Sequence, residues 1–234
     1  MKKYLVTALM LFGFFSTANA IEGFKAGLSL QAGVFEVEGA SEKFSGAHSS
    51  GASPGDVVKK ASTEGENAEG LFAVGSIFLE PQLTDKIAIG VDYVPYSLDS
   101  ETTENVQNQG AKTEFVSGEV TNTVQADFED LTTVYAKLML GDAGVYAKVG
   151  YVEVDVITNE SLGSGGAYNN TSLDGMTYAL GYERDLATGA FVRFEASLLE
   201  MDGVTLTNQN DTAKSVSVDG IDGYGAKISV GRSF

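Results

Sequence analysis

The sequence has no cysteine, no tryptophan, one histidine and three prolines among its 234 residues. Without cysteine there is neither a disulfide framework nor a thiolate metal site. The histidine, His48, lies in Gly46-Ala47-His48-Ser49-Ser50. Hydrolysis of the Ser-His-acid kind needs a base held rigidly against its nucleophile. A Gly/Ser-rich run is a poor place for that, so the chain is read as a non-enzyme with no cofactor. Positive charge is scarce as well, with 15 Lys and Arg against 32 Asp and Glu, a net charge of −17. Such a surface repels nucleic acid. Past residue 20, the longest largely apolar run covers about residues 71–79, half of the roughly 20 residues a membrane helix needs. If the mature chain crosses a membrane, it crosses as strands.

What is present begins at the two ends. Residues 1–20 carry Lys2 and Lys3, an apolar stretch to Phe15, and the small-x-small sequence Ala18-Asn19-Ala20. That is the pattern of a cleaved secretory signal peptide, so fold reasoning starts at Ile21. The last eleven residues alternate. Tyr224, Ala226, Ile228, Val230 and Phe234 fall on one face, interrupted only by Arg232, with Gly225, Lys227, Ser229, Gly231 and Ser233 on the other. A period of two is the period of a strand with one apolar face.

The same alternation recurs in residues 24–37, 86–98, 125–140, 145–157, 173–184 and 190–201. Residues 70–80 are apolar on both faces and give no register. In 145–157 the phase blurs at Val152, Val154 and Val156, where a bulge is expected. Pro95 is tolerable near the far end of its strand. The eight strands are joined by links that alternate in length. Residues 38–69, 99–124, 159–172 and 202–219 form four long polar links, rich in Gly, Ser, Asn and acids. The three short ones include Gly141-Asp142-Ala143-Gly144, a tight turn. An eight-stranded antiparallel up-and-down barrel across a membrane predicts this sorting, with long extracellular loops and short periplasmic turns.

Lipid would then face the apolar set, with Phe24, Tyr182 and Phe234 as aromatic anchors at one interface and Tyr93, Phe128 and Tyr178 toward the other. The lumen would collect Lys25, Asp92, Glu129, Lys137, Lys148, Glu183, Arg193, Glu195 and Lys227. Eight strands leave room only for side chains, so these charges are expected to pair with one another. Acidic runs such as 208–211 and 219–223 offer oxygen ligands, but their spacing is not that of an EF-hand loop, and no metal site is assigned.

With its leader, alternating strands, sorted links and terminal aromatic, the sequence resembles the small bacterial outer-membrane protein β-barrel superfamily. That group includes the OmpA transmembrane domain, OmpX, OmpW and the opacity-type proteins. The resemblance covers residues 23–234 and is one of pattern. It implies an integral outer-membrane location with both termini in the periplasm. It also implies a C-terminal signal (Tyr224, Ile228, Val230 and Phe234) read by the barrel-assembly machinery, and contact with outer-membrane lipids. Structural and surface-interaction roles follow from it, the acidic loops meeting an extracellular ligand or surface. The alternative is a narrow pore or transporter for small hydrophobic or ionic solutes. A stand-alone barrel is expected.

Overall fold

The computed structural model describes residues 23–44, 66–100, 102–111, 114–162, 167–186, 189–210, 212 and 214–234. The expected leader and His48 lie outside them. The strands are β1 Phe24–Phe44, β2 Glu66–Pro81, β3 Ile87–Tyr93, β4 Leu98–Asp99, β5 Thr103–Ala111, β6 Glu114–Met139, β7 Val145–Leu162, β8 Thr171–Asp185, β9 Ala190–Thr207 and β10 Lys214–Ser233. Each pairs antiparallel with its neighbours in the wall, and β10 returns to pair with β1. The short β4 and β5 continue the line of β3 along β6. The wall therefore has eight staves and closes on itself.

The register fixes the shape. Stepping round the wall, Ala26 pairs with Leu79, Leu79 with Val91, Val91 with Val134 and Val134 with Tyr151. Tyr151 then pairs with Met176, Met176 with Glu200, Glu200 with Asp222 and Asp222 with Glu36. One circuit climbs from residue 26 to residue 36 of β1, so a stagger of ten residues sets the tilt. For eight strands this gives about 40° to the barrel axis. The interior is then narrow enough for side chains to fill.

Alternate residues face out, and over one band those residues are apolar. Leu28, Leu30, Val34, Leu71, Ile77, Leu79, Leu138, Leu180, Phe194, Leu198, Ile228 and Val230 are all exposed. Water would not tolerate so continuous an apolar surface; hydrocarbon solvates it. From Phe24 to Val34 the band rises ten residue steps. At about 3.3 Å per step and the tilt above, it is about 25 Å tall, the height of a lipid-facing belt. Phe24 and Phe234 stack at its lower edge, with ring centroids 4.7 Å apart. Above the belt the outward row becomes acidic, with Glu36, Glu38, Glu69, Glu129, Asp155, Asp174, Glu200 and Asp222.

The wall does not stop where the belt stops. β1 reaches Phe44, β7 Leu162 and β9 Thr207, while β10 already begins at Lys214. Much of the four expected loops is thus strand, and the link at 99–124 contains the β5–β6 hairpin. The reason is physical. Above the membrane both faces of the wall are wet, so the apolar alternation ends while backbone pairing continues. At the other end the turns are tight. Gly141 and Gly144 adopt φ of 87° and 86°, a region that favours glycine.

Candidate functional site

The lumen is built in layers. At the short-turn end, two carboxylates and two cations alternate. Glu80, at the end of β2, accepts hydrogen bonds from Lys137 Nζ at 2.6 Å, Arg193 Nη2 at 2.6 Å and the Tyr135 hydroxyl at 2.9 Å. Glu183 on β8 accepts from Lys137 Nζ at 2.9 Å, from Arg193 Nε and from Lys25 Nζ. Each of the two central cations therefore bridges both carboxylates. The Arg193 guanidinium also lies against the Phe78 and Phe191 rings, 5.0 and 4.7 Å from their centroids. Such cation–ring contacts add to the pair energy where water is excluded. One layer further in, Glu195 accepts from Lys148 Nζ and from the Tyr146 hydroxyl at 2.8 Å. Lys227 donates to Asp92 at 2.8 Å.

Glu80 is 0% exposed, Lys137 2% and Arg193 4%, so no water column passes between them. Two glycines make room for the rings that brace this layer. A Cβ at Gly90 would run into the Tyr135 ring, and one at Gly181 into the Tyr146 ring. Above the charges comes a thin layer of small polar groups, in which the Gln31 amide donates to the Ser197 hydroxyl at 3.3 Å. Above that the lumen turns apolar. Val154, Val156 and Leu173 are buried together, with Ala126, Phe128, Leu131, Met201 and Ile221 packed on them.

Of the lumen charges singled out from the sequence, the structure brings Asp92, Lys137, Lys148, Glu183, Arg193, Glu195, Lys227 and Lys25 inside. Glu129 is not among them. It is exposed on the outer face, opposite Asp155. The β6–β7 register shifts between Glu129 and Thr132, and Asp130 there adopts φ 55°. One extra residue exchanges the two faces of β6 beyond it. The same shift takes Phe128 off the outer surface, where it was expected as an interfacial aromatic, and puts it in the apolar cluster. The bulge expected near Val152 to Val156 is thus on β6. In β7 these valines keep phase and point inward.

Sequence reasoning missed Glu80, the most connected acid in the lumen. Its strand is apolar on both faces and shows no register. The available signal was its place one residue before Pro81 at the turn.

Among the described residues, the seam between β2 and β3 is incomplete within the apolar belt. β2 pairs with β1 along nearly its whole length but with β3 only over Ile77–Leu79. Past Tyr93 the chain leaves β2. Val94 N donates to Leu131 O on β6 at 3.0 Å, and β4 and β5 pair with β6. Among the described residues, no strand pairs with β2 on that side above Ile77. Extending the register would set Pro95 opposite Gly75, and proline has no N–H to offer. The chain's departure also takes away the carbonyl that would accept the Gly75 N–H, which is given to the Tyr96 hydroxyl. Asp130 holds the corner from the other side, accepting the Tyr93 hydroxyl at 2.7 Å. Gly75, Ala73 and Leu71, the outward residues along this edge, lie within the apolar belt, and Leu71 is 84% exposed.

No protein-family model matches the sequence, and no curated protein does. Solved structures share the fold. The outer membrane protein AlkL, determined by solid-state NMR in DMPC lipid bilayers, superposes with a TM-score of 0.50 at 13% identity over 91% of this chain and 90% of its own. OprG, an outer membrane protein from Pseudomonas aeruginosa, gives 0.42 at 13% identity over 92% and 97%. The fold assignment rests on the first of these, together with the apolar belt.

Proposed function

We propose that this protein is an integral outer-membrane barrel with its short turns and both termini in the periplasm. Its role is structural and surface-interactive: a sealed stave in the envelope that carries a stiff acidic collar outside. The extended wall above the belt carries this reading. β6 has 26 residues and β1 has 21, where about 9–11 suffice to cross a bilayer. Outer-membrane lipids are the first partner and the barrel-assembly machinery the second. The exposed apolar side chains of Tyr224, Ile228, Val230 and Phe234 form the outward face that machinery would read. The collar's partner is an extracellular ligand or surface.

The charged layer opposes axial conduction, so purified protein in planar bilayers should show no steady single-channel steps. Regular steps that change in Arg193→Ala or Glu195→Ala would overturn the sealed-stave reading and support an ionic pore. A second reading, passage of small apolar solutes, is favoured by one observation. Above the seal the lumen is apolar, and the seam beside it opens at the level of lipid rather than of water. Such solutes would leave sideways.

A further inference from the structure

Two arginines stand apart from the lumen network. Lys25, Lys137, Lys148, Arg193 and Lys227 each meet a carboxylate. Arg184 and Arg232 are exposed on the outer face, and among the described residues neither meets a carboxylate. We propose that these two form a clamp for the phosphate of one anionic glycerophospholipid in the periplasmic leaflet. This rests on the reading that puts the short turns in the periplasm.

Arg184 lies between Tyr182 and Leu186 on the outward row of β8, and Arg232 between Val230 and Phe234 on that of β10. All four neighbours are exposed apolar side chains, and the Phe24–Phe234 stack marks the lower edge of the belt. The guanidiniums therefore sit where hydrocarbon gives way to headgroups. A cation at that level attracts anionic lipid, and arginine can hold a phosphate through two parallel N–H donors. Register brings the two within reach of one headgroup. Arg184 pairs with Val192 and Arg232 with Ala190, so a single stave, β9, separates them. Two strand spacings make about 10 Å, a gap that two arginine side chains can close from its two sides. The side chains of β9 between them, Ala190 and Val192, are too short to block the approach. Arg232 rests on the Phe234 ring, 5.8 Å from its centroid, a contact that uses none of its N–H donors. At the other edge of the belt the outward row is acidic, so an anionic headgroup is repelled there and drawn to this one.

The test is native mass spectrometry of the detergent-purified protein with phosphatidylglycerol as the probe. The variants are Arg184→Gln, Arg232→Gln and the pair together. Lys86→Gln, on the β2–β3 turn, is the control, and heat-modifiable gel migration reports that each variant is folded. Each single change should weaken lipid binding about fivefold, and the pair about twenty- to thirtyfold. Lys86→Gln should bind as the parent does. Dioleoylglycerol, which lacks the phosphate, should bind weakly and equally to all variants.

Equal affinity in the parent and the double variant, or an equal loss in Lys86→Gln, overturns the clamp. Dioleoylglycerol binding as tightly as phosphatidylglycerol overturns it too. Displacement of the lipid by inorganic phosphate at the same concentration would leave a phosphate site and no lipid site. The leaflet is tested separately with Ala143→Cys, the sole thiol in a cysteine-free chain. A membrane-impermeant maleimide should label it only after the outer membrane is permeabilised. Labelling in intact cells overturns the topology and the leaflet named here, whereas the binding comparison bears on the clamp alone.

Discussion

The alternation of Glu80, Lys137, Glu183 and Arg193 makes a quantitative demand that a double-mutant cycle can check. In Glu80→Gln the shape is nearly kept and one charge is lost. Lys137, Arg193 and Lys25 then share the single carboxylate of Glu183 in a layer where water cannot compensate. Removing one partner of a buried ion pair typically destabilises by about 3–5 kcal/mol. Arg193→Met is predicted to fall in the same range. It leaves Glu80 with Lys137 as its one cation and takes a second cation from Glu183, and it also loses the contacts to Phe78 and Phe191, which add about 0.5–2 kcal/mol. The double variant restores the match of charge between these two positions. Its loss should therefore be smaller than the sum of the single losses by about 2 kcal/mol, the scale of coupling between residues in one network. Urea titration in lipid vesicles, followed by gel migration of unheated samples, gives all three free energies. If the single losses are below about 1 kcal/mol, or the cycle is additive within about 0.5 kcal/mol, the charges are hydrated rather than mutually paired. The sealed lumen would then be wrong.

Two further predictions concern the wall. Leu30→Arg, at the middle of the apolar belt, should destabilise by about 2–4 kcal/mol in vesicles. Glu38→Arg, eight residues along the same face but above the belt, should change stability by less than about 1 kcal/mol in the same titration; equal effects would misplace the membrane. Gly181→Val should destabilise by about 1–3 kcal/mol through overpacking, because its Cβ meets the Tyr146 ring. Second-site Tyr146→Ala should recover part of that loss if the ring is the obstacle.

Several features were legible in the amino-acid sequence. Period-two alternation in segments such as 190–201 and 224–234 named strands and their apolar faces, because in a barrel each face meets a single solvent. The sorted links gave the up-and-down order, and Gly141 to Gly144 gave a turn. Seven charged positions on polar faces were found, and so was Lys25, because a polar face inside a narrow barrel must be a pairing face. All of this is local pattern read against two solvents.

The rest depended on contacts between distant segments. The strands outlast their alternation above the belt because backbone pairing needs no apolar face, so composition alone assigns those residues to loop. Glu129 and Phe128 exchanged sides because a single residue at Asp130 shifts the phase, and nothing in the local pattern marks that shift. Glu80 came to hold Lys137 and Arg193 only through a register that its doubly apolar strand conceals. The open edge of β2 exists because the neighbouring stave turns toward β6 after Tyr93. Pro95 suggests that departure, but only the closed wall shows which edge it leaves bare. Local alternation is enough to make strands with one face for lipid. Tertiary structure decided which charges meet, where the wall is incomplete and which side chain spans the break, because pairing energy is set by partners far away along the chain.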